Sequence, residues 1–437
     1  MIGKDAIRSL KASKSKALFY CLTFYLTSTL MFLFFNMAES ATQGKAEIFV
    51  TNNMVDLTKY ILNGNMGNIM MVFVVVMCSI DIVFTNDFYV RTKAKELAIR
   101  LISGATYTQL LKYLLIQTSL MLVVAIPLGV LSGLALIPLI NHILIQQGSD
   151  FIITIQSFAI VEYFSITLFL VFWTTVLNAS FAYKNGAVLM LSDNMKTGAN
   201  KERFMGFYSS SFTQILSKIF WIFVALLPII FSNNGTGGIA VFVIAGCVGL
   251  DHVLKEILLP LFSTFTRKRK MHKPVVAYAN GFLRQDILVS GITFYLLIAD
   301  VVVLIAMMFT RNDTPLEKML VWVSFIFIVI LQSMAIMFRL ETDLSSRKRE
   351  FQILDQTGFE EKQIRQVMNR EITLFYGFVL FIALFYLSAV YIALIRAGLF
   401  TVMNAVVITG VLVIALLGVY ILTLSFYRNS FVKKAAL

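Results

Sequence analysis

Between Ala17 and Met37 no side chain carries a charge, and the pattern returns along the chain as long apolar runs separated by polar, mostly basic connections. A helix needs about 20 apolar residues to cross the hydrocarbon core of a bilayer. Inside that core the backbone must satisfy its own hydrogen bonds, which selects helices over open strands. With 58% hydrophobic and 14% charged residues, a soluble fold of 437 residues has no interior large enough for this much apolar surface. The sequence therefore predicts an all-α polytopic membrane protein. Its ten spans are expected at about Ala17–Met37, Asn68–Val90, Lys112–Ile140, Phe158–Phe181, Gln214–Phe231, Ile239–Phe262, Ile287–Thr310, Met319–Arg339, Glu371–Ile395 and Thr401–Tyr427.

Smaller features refine this layout. Pro127, in the middle of the third span, lacks an amide hydrogen and predicts a kink. Gly129 and Gly133 fit either a close helix–helix contact or ordinary small-residue packing. Residues 1–16 are basic at Lys4, Arg8, Lys11, Lys14 and Lys16, with Ile2, Ile7 and Leu10 near one side of a helix. They suit an in-plane elbow helix at the membrane surface. The rival reading, a cleaved signal peptide, is disfavoured by the length of the apolar run and the lack of a clear A-x-A site.

The basic residues orient the chain. Of the 37 lysines and arginines, Lys45, Lys59, Arg311, Lys318 and Arg396 fall on one side of the ten-span layout and the other 32 on the side of the N-terminus. Positive charge accumulates on the cytoplasmic face, so both termini are expected in the cytoplasm. The net charge of +13 is spread over six connections rather than gathered into a patch, which argues against nucleic acid as a partner. Cys21, Cys78 and Cys247 all lie in apolar runs, so neither a disulfide framework nor a metal site is expected. The phosphate-cradling G-x-x-x-x-G-K-[ST] pattern, G-x-S-x-G and H-E-x-x-H are all missing, and an enzyme reading has no residues to rest on.

Charges within or near the apolar runs are Asp81, Glu162, Asp251, Lys255, Glu256 and Asp300. Charge at membrane depth is costly and marks functional candidates. Asp251 with Lys255, and His252 with Glu256, have the i, i+4 spacing of helical pairs. The alternative is that the sixth span ends early and leaves these groups at the membrane interface.

The stretch Arg91–Leu110, RTKAKELAIRLISGATYTQL, joins the second and third runs. Gly104 is the residue a helix uses to end in a left-handed turn. Thr106 and Gln109 match the S/T-x-x-E/Q capping box that starts a new helix. The stretch thus predicts a helix leaving the membrane, a sharp turn at Gly104–Ala105, and a helix returning from Thr106. The device recurs at Arg347–Ile364. Glu96 pairs with Glu350, Ile99 with Ile353, Gly104 with Gly358, Gln109 with Gln363 and Leu110 with Ile364, all at one offset of 254 residues. Each copy lies between two apolar runs, which identifies an internal duplication.

The paired stretches resemble the signature of the FtsX-like permease family, the membrane subunits of MacB-type ABC transporters. The first copy carries it as Arg91, Lys95, Glu96, Ala98, Ile99, Gly104, Ala105, Thr106, Gln109 and Leu110, and the second as Arg349, Glu350, Ile353, Leu354, Gly358 and Gln363. Ala98 replaces a family glycine, Arg100–Leu101 reverses the usual order, and Asp355, Glu360 and Glu361 make the second copy more acidic. The layout is similar to BceB-type ten-span permeases, but the connection around Arg311–Lys318 is too short to hold their large extracellular domain.

The resemblance implies two four-helix FtsX-like modules, 1–181 (spans one to four) and 276–437 (spans seven to ten), joined by a cytoplasmic linker and two-helix insert at 182–275, with a short cytoplasmic coupling helix after the glycine that docks on the partner ATPase. It implies a permease in a bacterial plasma membrane that moves or releases an amphiphilic substrate, in antimicrobial-peptide resistance or export. A separate ATPase, two subunits per chain, would carry the ATP and Mg2+, with no cofactor in this chain. The coupling residues would be Glu96, Gly104, Thr106, Gln109, Glu350, Gly358 and Gln363. Spans two and eight lead directly into the two turns, so substrate contact is expected on their outer halves, at Met70, Trp322 and Phe325. A sensor kinase or an accessory membrane protein would be a further partner. Two other classes remain: a non-transporting relay acting on a sensor kinase or a cell-wall hydrolase, and an ion-coupled carrier using Asp81, Asp251, Lys255 and Asp300.

Overall fold

The computed structural model describes residues 2–12, 14–46, 66–146, 152–184, 211–230, 236–258, 281, 283, 297–298, 301, 315–346, 348–396 and 401–432. The helices run in order α1 (Ile2–Ala12), α2 (Lys14–Ala46), α3 (Met66–Ile102), α4 (Tyr107–Gln146), α5 (Ser157–Lys184), α6 (Ser211–Ile230), α7 (Thr236–Val253), α8 (Pro315–Ser346), α9 (Lys348–Gln356), α10 (Glu361–Arg396) and α11 (Val402–Val432). A π-helical turn, Leu254–Leu258, follows α7. No strand occurs among the described residues.

Among the described residues, seven stretches are long and apolar enough to cross a membrane: Ala17–Ser40, Phe73–Ile102, Tyr107–Gln146, Ser157–Tyr183, Val321–Leu340, Glu361–Arg396 and Val402–Ser425. They fall on the first four and last three of the ten expected spans and point to a multi-pass membrane protein. Expected spans five and six fall on α6 and α7, where the shorter stretch Ser217–Leu227 is apolar. Expected span seven, at 287–310, lies outside the described residues except at 297–298 and 301.

The chain divides into two compact units. One comprises Met1–Lys196 and Thr310–Leu331; the other comprises Thr197–Phe309 and Gln332–Leu437. In the first unit α2 is the central helix, since every residue from Thr27 to Ala38 is buried. Several of its polar residues bond to its own backbone: Thr23 Oγ1 donates to Phe19 O at 3.0 Å, and Asn36 Nδ2 to Phe32 O at 2.8 Å. Such back-bonding satisfies a hydroxyl or amide where water is excluded.

The two glycines of α4 are where α2 crosses it. A Cβ on Gly129 would meet Ser28 Oγ at 2.4 Å and Tyr25 O at 2.9 Å, and one on Gly133 would meet Phe32 Cδ1 at 2.7 Å. The close-contact reading of Gly129 and Gly133 is therefore the one the structure adopts, and backbone approach at small residues is what packs helices in lipid. Around the crossing, Ser28 Oγ donates to Ile126 O at 3.1 Å and lies 2.6 Å from Tyr163 Oη, while Thr29 Oγ1 and Ser132 Oγ are 2.7 Å apart. Pro127 lies within α4, and the helix is not broken there.

Residues 152–156, just before α5, are held by side-chain bonds from two helices. Asn141 Nδ2 donates to Ile153 O at 2.9 Å, Ile153 N donates to Asn141 Oδ1 at 2.8 Å, and Gln156 N reaches Asn36 Oδ1 at 3.2 Å. The helix that follows, α5, turns Phe158, Val161, Phe164, Leu168 and Phe172 outward at helical spacing. A stripe of large exposed apolar groups on a long apolar helix suits hydrocarbon, not water.

In the second unit α6 and α7 pack closely at Gly249, where an added Cβ would lie 2.5 Å from Ala225 N. The Trp221 and His252 rings stack at 3.8 Å, and Tyr386 Oη of α10 donates to Ala225 O at 3.3 Å. Tyr376 Oη lies 2.8 Å from Thr423 Oγ1, joining α10 to α11.

Candidate functional site

The helix α3 has 37 residues. At 1.5 Å per residue it is roughly 55 Å long, well beyond the ~30 Å hydrocarbon core, so its polar end, Arg91–Ile102, projects from the apolar segment as a continuation of the same rod. It ends in a Schellman motif. Gly104 has φ +91°, Ala105 N donates to Arg100 O at 3.0 Å, and Gly104 N donates to Leu101 O at 3.1 Å. These are the 6→1 and 5→2 bonds that close a helix through a left-handed residue. Two residues later the expected capping box is formed reciprocally. Thr106 N donates to Gln109 Oε1 at 3.1 Å, and Gln109 N donates to Thr106 Oγ1 at 3.4 Å. The returning helix starts at Tyr107 and continues without interruption through the span to Gln146. The short coupling helix that the resemblance implies after the glycine is here the first turn of α4, because nothing after the capping box breaks the helical pattern before the apolar run.

The second turn repeats the backbone bonds of the first and one half of its capping box. Gly358 has φ +92°, Phe359 N donates to Leu354 O at 3.1 Å, and Gly358 N donates to Asp355 O at 3.0 Å. Glu360 N donates to Gln363 Oε1 at 3.2 Å, and Ile364 N to Glu360 O at 3.1 Å, as Leu110 N does to Thr106 O. Every partner is displaced by the same 254 residues, so the sequence register of the duplication is also its structural register. Glu360 stands where Thr106 stands. Both turns are exposed, as are the apolar side chains Ile99, Ile102 and Tyr107 of the first and Ile353 of the second, with Ile102 at 64%.

Behind the first turn lies a polar cluster that joins three helices. Tyr113 Oη of α4 donates to Glu96 Oε1. Ser9 Oγ of α1 donates to Glu96 Oε2 at 2.8 Å, and Lys93 Nζ donates to Ser9 Oγ at 2.7 Å and to Glu96 Oε2 at 3.3 Å. Lys93 is only 5% exposed, so its ammonium requires these partners to offset lost hydration. Arg100 lies 4.1 Å from the centroid of the Tyr113 ring, in the range of a cation–π contact, and approaches Glu96 at 3.5 Å and Asp5 at 3.9 Å. One turn deeper, buried Gln117 donates to Ala6 O at 3.2 Å and accepts from Tyr89 Oη at 3.1 Å. Ala6 and Leu10 are the buried face of α1, and Ile7 is 41% exposed. The expected apolar face thus shifts: Leu10 is on it, Ile7 is not, and the side chain of Ile2 lies outside the described residues.

The remaining expected residues are placed as follows. Glu96 belongs to the interhelical cluster and not to the exposed tip, while Gly104, Thr106, Gln109, Gly358 and Gln363 form the turns. The side chain of Glu350, on α9, lies outside the described residues, as does that of Met70, on α3. Trp322 and Phe325, on α8, pack edge to face at 6.0 Å, and Phe325 is 1% exposed. Asp81 is buried in α3. Asp251 and Lys255 form the expected pair at 2.7 Å where α7 passes into the π-helical turn, whereas His252 Nδ1 lies 3.0 Å from Val248 O. Asp300 lies outside the described residues.

Sequence reasoning missed Ser9, Lys93, Tyr113 and Gln117. The spacing of Tyr89, Lys93, Glu96 and Arg100 on one face of α3 was a readable signal. Ser9 offered none, being 87 residues from the carboxylate it meets.

Residues 68–187, which hold nearly all of α3 together with α4 and α5, match the family described as FtsX-like permease C-terminal. No curated protein matches the chain. An FtsX-like permease domain is thus present around the first turn, and the second turn lies outside the matched range. Members of this family are membrane components, not enzymes themselves, and generally work with an ABC ATPase. The domain points to the membrane subunit of an ABC transporter.

Proposed function

We propose that this chain is the permease subunit of an ATP-driven ABC transporter and that its two capped turns are the points where a partner ATPase acts. The observation that carries this reading is the pair of turns at Gly104–Gln109 and Gly358–Gln363, which share their backbone bonds and a glutamine cap and each open a long helix, α4 or α10, that runs on into an apolar span. A rigid helix with a closed end transmits displacement along its axis, and exposed Ile99, Ile102, Tyr107 and Ile353 supply an apolar docking face beside the turns. Two such turns in one chain suit an ATPase dimer, hence one permease chain per two ATPase subunits, with ATP and Mg2+ bound by the partner. The duplication further supports two FtsX-like modules at 1–181 and 276–437, separated by 182–275.

The cargo is an amphiphilic molecule met within the membrane, in antimicrobial-peptide resistance or export. Short expected external connections leave no room for a folded receptor, since domains with a single core seldom fall below about 40 residues. The charge asymmetry supports both termini in the cytoplasm, and the FtsX-like domain supports a bacterial plasma-membrane location. The test is reconstitution with the ATPase. Gly104→Val and Gln109→Pro are expected to lower substrate-stimulated ATP hydrolysis while the chain still inserts. Full stimulation in both variants would remove the coupling role.

A further inference from the structure

The helix α1 is fastened to the first turn more firmly than a surface elbow needs to be. Ser9 reaches Glu96, Lys93 reaches Ser9, Arg100 reaches Asp5, and Gln117 holds the Ala6 carbonyl. These bonds engage both α3 and α4, the two helices that flank Gly104. They use the inward side of α1, where Ala6 and Leu10 are buried, and its one carboxylate, Asp5. The side left outward carries Lys4, Arg8 and Ile7, all exposed. Connectivity fixes where this face sits: α2 begins at Lys14 and its apolar span at Ala17, so α1 ends within about two turns of the hydrocarbon boundary.

We propose that the outer face of α1 binds the headgroups of anionic phospholipids, and that the Ser9–Lys93–Glu96 cluster passes this binding to the Gly104 turn. The charge is complementary: residues 1–16 hold five basic side chains and the single acid Asp5, which already faces Arg100. Basic groups at an anionic leaflet gain from its negative surface potential, and an amphipathic helix adds burial of its apolar edge. Because α1 shares hydrogen bonds with α3 and α4, a lipid that holds α1 also stabilises the arrangement of those two helix ends. Only a ligand with different affinity for two arrangements can shift them, and α1 gives lipid that differential contact. The significance for transport rests on the coupling role proposed above, but lipid binding and its transmission to the turn do not.

The test uses the full chain alone in nanodiscs of phosphatidylcholine, with or without phosphatidylglycerol, and reads amide hydrogen exchange over α1 and over 103–110. Anionic lipid is expected to slow exchange in both segments by up to roughly thirtyfold, the scale of two basic side chains at such a surface. Lys4→Gln with Arg8→Gln should abolish the response in both segments, and Lys4→Arg with Arg8→Lys should keep it. Ser9→Ala with Gln117→Leu should leave α1 responsive and the turn unresponsive; if that double variant loses helix, Ser9→Ala alone serves. No lipid response in α1, or a response in α1 that never reaches the wild-type turn, would overturn the proposal. No ATPase is present in this assay. A turn that answers to lipid in a protein whose hydrolysis ignores Gly104→Val would sink the coupling reading and leave this one standing.

Discussion

Gln109 and Thr106 bond to each other twice, Oε1 to amide at 3.1 Å and amide to hydroxyl at 3.4 Å, two residues after a glycine at φ +91°. The helix end and the helix start are therefore both closed within six residues, and the link between α3 and α4 is short and stiff. At the second turn Gln363 makes the matching bond to the amide of Glu360, at 3.2 Å.

The glycine of each turn can be tested separately from its surroundings. An added Cβ at Gly104 or Gly358 meets nothing within 4 Å, so the cost of Gly104→Ala is conformational alone, about 1–2 kcal/mol for an L residue held in the left-handed region. Gly104→Asn, which tolerates that region better, should cost less. Substrate-stimulated ATP hydrolysis should fall in the order glycine, asparagine, alanine, valine. An unordered response would show that turn geometry does not limit coupling.

The crossing of α2 and α4 predicts the opposite pattern, a steric one. Gly129→Ala places a methyl against Ser28 and the Tyr25 carbonyl, and the backbone cannot rotate away. Overpacking of this kind costs about 1–3 kcal/mol, so the thermal midpoint in detergent should drop. Gly410→Ala and Gly418→Ala, with open space at both positions, should leave it unchanged or slightly raised.

Trp322 and Phe325 should separate in function. Phe325 is buried, and Phe325→Ala should lose about 3–5 kcal/mol of stability whatever the substrate. Trp322 is only half-buried, so Trp322→Ala should fold and change resistance or substrate-stimulated hydrolysis. Normal function in Trp322→Ala, with loss of function on deletion within 38–66, would move recognition to the first external connection.

Orientation is testable in intact cells. In a background lacking Cys21, Cys78 and Cys247, single cysteines at Asn53, Ser149 or Asp313 should react with an impermeant maleimide, and cysteines at Ser209 or Ser346 should not. The reverse labelling pattern would invert the topology.

Stoichiometry follows from the two turns. Native mass measurement of the purified complex should find one permease chain with two ATPase subunits; two permease chains per ATPase pair would contradict the proposed stoichiometry.

By itself the sequence determined the helical class, the seven apolar spans seen here, the two turns and their common register. These are local properties. A run of apolar residues, a glycine at a helix end and a Thr-x-x-Gln box act over a few residues of backbone, so their geometry follows from neighbours in the chain. Tertiary structure alone decided what lies behind the turn. Glu96 reads in sequence as part of an exposed motif, yet it meets Ser9 from 87 residues away and Tyr113 from the returning helix. Tertiary structure also chose between two readings of Gly129 and Gly133, because whether a small residue is needed depends on how near another backbone comes, and Ser28 with Tyr25 supplies that approach. A buried charge such as Lys93 has no local signature of burial. Its partners are fixed only when α1, α3 and α4 pack, since only then is water excluded and the ammonium must find a hydroxyl and a carboxylate in its place.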